Sequence, residues 1–137
     1  MVARAIGSYR RTAVETADAG RLVLMAYEGA IQALREAEES LAAGNFEAKA
    51  RLLVRAQDFL SELAAGLNPE AGELATNLRA LYAYMLRTLT LVDLEGEGVR
   101  LKRVREMLEE LYSAWQTIVE EPRLREASKR TLEEVTL

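Results

Sequence analysis

The chain has 137 residues, 50% of them hydrophobic, 29% charged and only 6% aromatic, and 22 acidic against 18 basic side chains leave a net charge of −4. That length suits one domain with one core, and the composition favours helix over a β-sandwich. There is no Cys and no His, which excludes disulfides, thiolate nucleophiles, thiolate-bound zinc, the usual general base and the Glu-x-x-His pairs of a di-iron bundle.

The first segment, residues 1–17, reads as an N-terminal arm with scattered apolar side chains at Val2, Ala3, Ile6, Tyr9 and Val14. Residues 1–8 contain no long apolar stretch, so no signal peptide is expected. A helical bundle is expected over 18–121. Asp18 is placed to cap a first helix over about 19–43, Gly44 to end it in the left-handed conformation, and Asn45 to cap the next. The second helix spans about 46–65, stops at Gly66 and gives way to the connection Leu67-Asn68-Pro69-Glu70. The third spans about 72–94 until Glu95-Gly96-Glu97-Gly98 breaks it. The fourth spans about 99–121, and Pro122 ends it or opens a short C-terminal helix within 122–137. Short connections between long helices of matched length predict antiparallel neighbours. The fold class is therefore all-α: an antiparallel four-helix bundle with an N-terminal arm and a short C-terminal helix, one domain over 1–137.

Periodicity supports these elements. Leu101, Val104, Leu108, Leu111, Trp115 and Ile118 follow a 3-4-3-4-3 spacing on the fourth helix. Phe46, Leu53, Leu60 and Leu67, joined by Ala56 and Leu63, form the stripe of the second helix. Leu74, Leu78, Leu81, Met85, Leu89 and Val92 form that of the third. The first helix carries more apolar surface than one core should need. Leu22, Met25, Ala26, Gly29, Ala33 and Ala37 make a mostly small face that a neighbouring helix can approach closely. Leu24 and Ile31 fall nearly opposite, with Tyr27 and Leu34 on the shoulder. The third helix is also too wide, with Ala75, Tyr82 and Leu86 on one side of its stripe and Asn77, Tyr84 and Leu91 on the other. Such surplus marks a contact surface. The end segments, a second copy of the chain and a foreign partner are the open candidates to cover it.

The remaining motifs read as structural. Arg100-Leu101-Lys102-Arg103-Val104-Arg105 is a solvated flank of the fourth seam, neutralised along the helix by Glu106, Glu109 and Glu110. No aromatic residue interleaves with it as a nucleic-acid strand would want. The acidic pairs Glu38-Glu39, Glu109-Glu110 and Glu133-Glu134 lie on solvated faces. No phosphate-binding loop, nucleophile elbow or dinucleotide fingerprint occurs, so no enzyme is expected. Trp115 is expected in the core, with an acceptor for its indole N–H.

Several short motifs, in one order, carry a family resemblance. Tyr9 is followed by Val14-Glu15-Thr16-Ala17, Leu22 and Met25-Ala26-Tyr27-Glu28-Gly29-Ala30-Ile31. Then come Ala56-Gln57 with Glu62-Leu63, and Gly72-Glu73-Leu74-Ala75 with Asn77-Leu78 and Leu81-Tyr82-Ala83-Tyr84-Met85. Leu108, Leu111 and Ala114-Trp115 close the series. From about Tyr9 to Trp115 the chain resembles the FliS family of flagellar export chaperones. It departs where Ala19-Gly20 replaces the family's Pro, Ala26 a larger apolar residue, and Glu28 an Asp.

The resemblance implies a cytoplasmic type III export chaperone that binds the disordered C-terminal segment of flagellin, prevents premature polymerisation and assists delivery to the export gate. A disordered client of this kind docks amphipathic anchors into grooves between helices. The residues expected to line the groove are Leu24, Tyr27 and Ile31 on the first helix, Gln57 on the second, and Asn77, Tyr82, Tyr84 and Leu86 on the third. Tyr9 is expected to anchor the arm. Gln57 and Asn77 would pair client backbone groups; that they instead tie bundle helices together stays open. Leu24→Glu with Ile31→Glu is expected to leave the bundle folded while abolishing client binding. No catalytic residue, metal or cofactor is expected, and neither nucleic acid nor stable membrane insertion. Whether the free chain is a monomer or a homodimer stays open. The alternative function is a structural or self-associating helical adaptor for another secreted protein.

Overall fold

The computed structural model describes residues 19–68, 70, 72–91, 96–120 and 135–136. Its helices are α1 (Ala19–Ala42), α2 (Phe46–Ala65), α3 (Glu73–Thr90) and α4 (Glu97–Glu120). They pack in a ring, α1 on α2, α2 on α3, α3 on α4 and α4 back on α1. Neighbours run antiparallel. Gly29 meets Phe59 across α1 and α2, while Arg35 and Glu38 reach Glu109 and Arg105 across α1 and α4. The contacts of α1 with its neighbours are extensive, and the α3–α4 contact is the thinnest of the ring. Asp18, the whole arm over 1–17 and the C-terminal segment apart from 135–136 lie outside the described residues. No helix among the described residues is long and apolar enough to cross a membrane.

The turn between α1 and α2 follows its sequence signals. Gly44 has φ +76°, Asn45 N–H donates to the Ser40 carbonyl at 2.8 Å and Gly44 N–H to that of Leu41 at 3.0 Å. These are the two bonds of a Schellman motif, which needs the left-handed residue that glycine adopts without steric cost. Asn45 then turns its side chain forward and accepts the Ala48 N–H at 3.2 Å, capping α2.

The ends of α3 and α4 differ from the sequence reading. α3 stops at Thr90, ahead of Leu94, because Leu91 is already extended at ψ 126°. The hydroxyls of Thr88 and Thr90 donate back to the carbonyls of Tyr84 and Arg87, which competes with continuing the helix. α4 begins at Glu97, ahead of Val99. The Glu97 carboxylate suits a helix N-terminus and also accepts from Lys49 Nζ of α2 at 2.5 Å.

The core also corrects the sequence reading. One bundle core does bury both faces of α1: Ala26, Ala30, Ala33 and Ala37 are buried together with Leu24, Ile31 and Leu34. α2 covers the small face and α4 the opposite one. The approach of α2 is close: a Cβ at Gly29 would come within 3.0 Å of the Phe59 ring. On α3 the inward stripe is Ala75, Leu78, Tyr82, Met85 and Leu89, so Leu74 faces out and Leu81 is half-buried. On α4, Val119 is buried while Leu111 and Ile118 are half-buried. On α2, Phe46 is 60% exposed, outside the stripe assigned to it.

At the centre, the Tyr27 and Tyr82 hydroxyls meet at 2.7 Å, linking α1 to α3 diagonally through the bundle. Trp115 is buried too, and its side chain acts on the Tyr27 phenol. Burial raises both phenols above the usual value of 10.0. An acid whose folded pKa is raised favours the folded state below its unfolded pKa, and that contribution is lost as pH rises past it. Stability should therefore fall with increasing pH above about 10. A pH-jump monitored by tyrosinate absorbance should show these phenols ionising with unfolding; ionisation in a chain of unchanged helicity would contradict the buried pair.

Candidate functional site

A helix can present only so much apolar surface to one core, and α3 presents two stripes offset by one residue. The first is the buried row through Leu78, Tyr82 and Met85. The second runs Leu74, Asn77, Leu81, Tyr84, Thr88 and Leu91, again with 3-4-3-4-3 spacing, which puts those residues on one flank. With the antiparallel ring fixed, helix handedness turns this flank toward α4. Leu74, Tyr84 and Leu91 on it are 45%, 38% and 59% exposed.

The facing flank of α4 carries Arg100, Met107, Leu111 and Ile118, spaced 7-4-7 and so aligned. Arg100 Nη2 donates to the Leu91 carbonyl at 3.1 Å and ties the two helices at one end. Below that tie, Met107, Leu111 and Ile118 remain half-buried. The two flanks run along the thin α3–α4 contact for roughly 25 Å at the helical rise per residue, with Thr88 buried among them. A surface this apolar and periodic suits the face of another amphipathic helix.

The opposite side of α4 is built differently. Arg105 grips Glu38 of α1 with Nε at 2.5 Å and Nη2 at 3.2 Å, and its Nη1 donates to Glu109 at 2.6 Å. Arg35 adds a bond to Glu109 at 3.3 Å, and Tyr112 donates to Glu28 at 2.8 Å. Bidentate, half-buried pairing of this kind is the stronger class of ion pair. Arg105 holds the Glu109 carboxyl below the usual carboxylate range. The α1–α4 seam is clamped shut, and the α3–α4 seam lacks any comparable network among the described residues.

The structure distributes the sequence-predicted groove residues over several places. Leu24 and Ile31 share α1's row with Glu28, Arg35 and Glu38, facing α4, and are 3% and 7% exposed. Tyr27 and Tyr82 form the buried pair at the centre. Gln57 and Leu86 lie half-buried on the flanks by which α2 and α3 face each other. Asn77 and Tyr84 are exposed on the outward row, two turns apart. Tyr9 lies outside the described residues. Among the described residues, only Asn77 and Tyr84 of this set lie on the flanks along the α3–α4 contact. Leu74, Leu81, Met107, Leu111 and Ile118 lie on those flanks as well. Sequence reasoning had assigned all of these except Met107 to core stripes, because two stripes one residue apart cannot be told apart until a partner fixes the rotation of α3.

A family model described as "Flagellar protein FliS" matches residues 2–122. The chain is similar to the flagellar secretion chaperone FliS of Salmonella typhimurium, 36% identical over 109 residues that cover 78% of this chain and 81% of the relative. It is 29% identical to that of Bacillus subtilis over 116 residues, 85% of this chain and 86% of the relative. With the flagellar secretion chaperone FliSB of Pseudomonas aeruginosa it shares 28% identity over 120 residues, 84% of this chain and 95% of the relative.

Proposed function

This chain belongs to the FliS family of flagellar proteins, and from that premise we propose that it is a cytoplasmic flagellar secretion chaperone. Its client is the disordered C-terminal segment of flagellin, which it keeps from polymerising prematurely and hands to the export gate. The role is one of binding, without catalysis or cofactor. The observation that carries the client reading is the outward apolar row of α3. A segment that is disordered when free and helical when packed supplies an amphipathic face with the spacing of Leu74, Leu81, Tyr84 and Leu91. Asn77 offers a donor and an acceptor to client groups that lose water on docking. Leu24, Tyr27, Ile31 and Tyr82 join such a surface only if the bundle opens, and Gln57 and Leu86 only through the α2–α3 seam. Tyr9 is the proposed anchor of the arm.

Calorimetry with a flagellin C-terminal peptide tests the reading. Saturable 1:1 binding is expected, with a gain of helical dichroism and a negative heat-capacity change from burial on the order of 1,000–3,000 Å². An absence of binding by a folded chain would overturn it.

A further inference from the structure

Two inward rows on opposite helices of the ring each begin with a charge. On α2 the row is Lys49, Ala56, Leu60 and Leu63, spaced 7-4-3. On α4 it is Glu97, Leu101, Val104, Leu108 and Trp115, spaced 4-3-4-7. Lys49 Nζ donates to Glu97 Oε1 at 2.5 Å, and the two side chains are only 15% and 12% exposed. α2 and α4 lie diagonally in the ring. The pair therefore crosses the bundle at one end, as Tyr27 and Tyr82 join α1 to α3 at its centre. Two desolvated charges add little net stability, because the lost hydration cancels most of their attraction. What such a pair does well is discriminate between packings.

α4 has two packings to discriminate. Met107, Leu111 and Ile118 form a second apolar row about 70° around the helix from the first. Val104 lies between the two rows and serves either. A rotation of α4 that buried the second row would turn Glu97 away from Lys49. It would bring Arg100, the head of that second row, round in its place, and Lys49 would face a cation. One rotation is thus favoured by an ion pair and the other opposed by like charge. We infer that Lys49 and Glu97 are positioning residues that select the rotation of α4. They thereby decide which of its apolar rows is buried and which is left on the flank along the α3–α4 contact. The inference concerns the bundle itself and stands whether or not that flank holds a client.

The test uses the full chain, which has no cysteine of its own, and reads thiol labelling rates. Leu108→Cys places a thiol on the buried row and Leu111→Cys one on the second row. Each is labelled in the otherwise unaltered chain, and again together with Lys49→Met and Glu97→Met, which remove both charges and keep the volume. With the pair removed, helical dichroism should persist. The rate for Leu108→Cys divided by that for Leu111→Cys should rise about tenfold, as a second rotation goes from about 1% to about 10% of the chains. An unchanged ratio overturns the inference. So does a rise of both rates alike, which is what a pair that merely held the fold together would give. Should the double replacement fail to fold, Glu97→Gln decides, since it removes one charge and keeps the shape. The ratio should again rise, and an unchanged ratio overturns the inference.

Discussion

The chain carrying Leu24→Glu together with Ile31→Glu should be unfolded at room temperature, with its helical dichroism lost. Both side chains are buried, at 3% and 7% exposure, on the row of α1 that faces α4. Each replacement forfeits about 1.5–3 kcal/mol of apolar burial. Each also places a carboxylate where water is excluded, at a cost of several kcal/mol or a proton taken up to avoid it. Together these rival the roughly 5–15 kcal/mol that holds a domain folded. The Arg105 clamp does not rescue the variant, because Glu38 and Glu109 already occupy that guanidinium. The sequence reading expected a folded chain that had lost only its client. A cooperative melt close to that of the unaltered chain would restore that expectation and place both residues on an accessible surface.

Tyr84→Glu with Leu91→Glu should do the reverse. Both residues are exposed, so the melting behaviour should change by no more than about 0.5 kcal/mol per site, as for ordinary surface substitutions. Affinity for the flagellin C-terminal peptide should fall by about 100-fold or more, since charges in the middle of an apolar docking row leave the client's anchors facing carboxylates. The readouts are a thermal melt and a peptide titration on the same preparation. Unchanged affinity would remove the α3–α4 flank as the client's seat and leave the family assignment untouched. Affinity lost along with the fold would show instead that Tyr84 and Leu91 support the bundle.

Helix identity and the turn from α1 into α2 were legible because they are local. Gly44 and Asn45 specify their turn through backbone conformation and a side-chain cap that need no distant partner. The seam through Leu101, Val104, Leu108 and Trp115 was legible for the same reason, since a period of 3.6 fixes a face. The small face of α1 correctly foretold a close neighbour, realised where Gly29 meets Phe59. The family resemblance also rested on short motifs in order, which survive without knowledge of packing.

The rotation of α3 could not be read this way. Its inward and outward rows have the same spacing and nearly the same apolar content, and what selects between them is the Tyr27–Tyr82 contact across 55 positions of sequence. That contact makes Tyr82 core and leaves Tyr84 outside. The same holds for Arg105: the sequence places Glu109 one turn away, but only the antiparallel packing of α1 brings up Glu38, 67 positions distant, to complete the clamp. The sequence determined that this chain forms four amphipathic helices and where α1 turns into α2, because those are properties of neighbours along the chain. Which seam closes by charge, and which leaves apolar side chains exposed among the described residues, was decided by tertiary packing, because burial belongs to the face that another helix happens to cover.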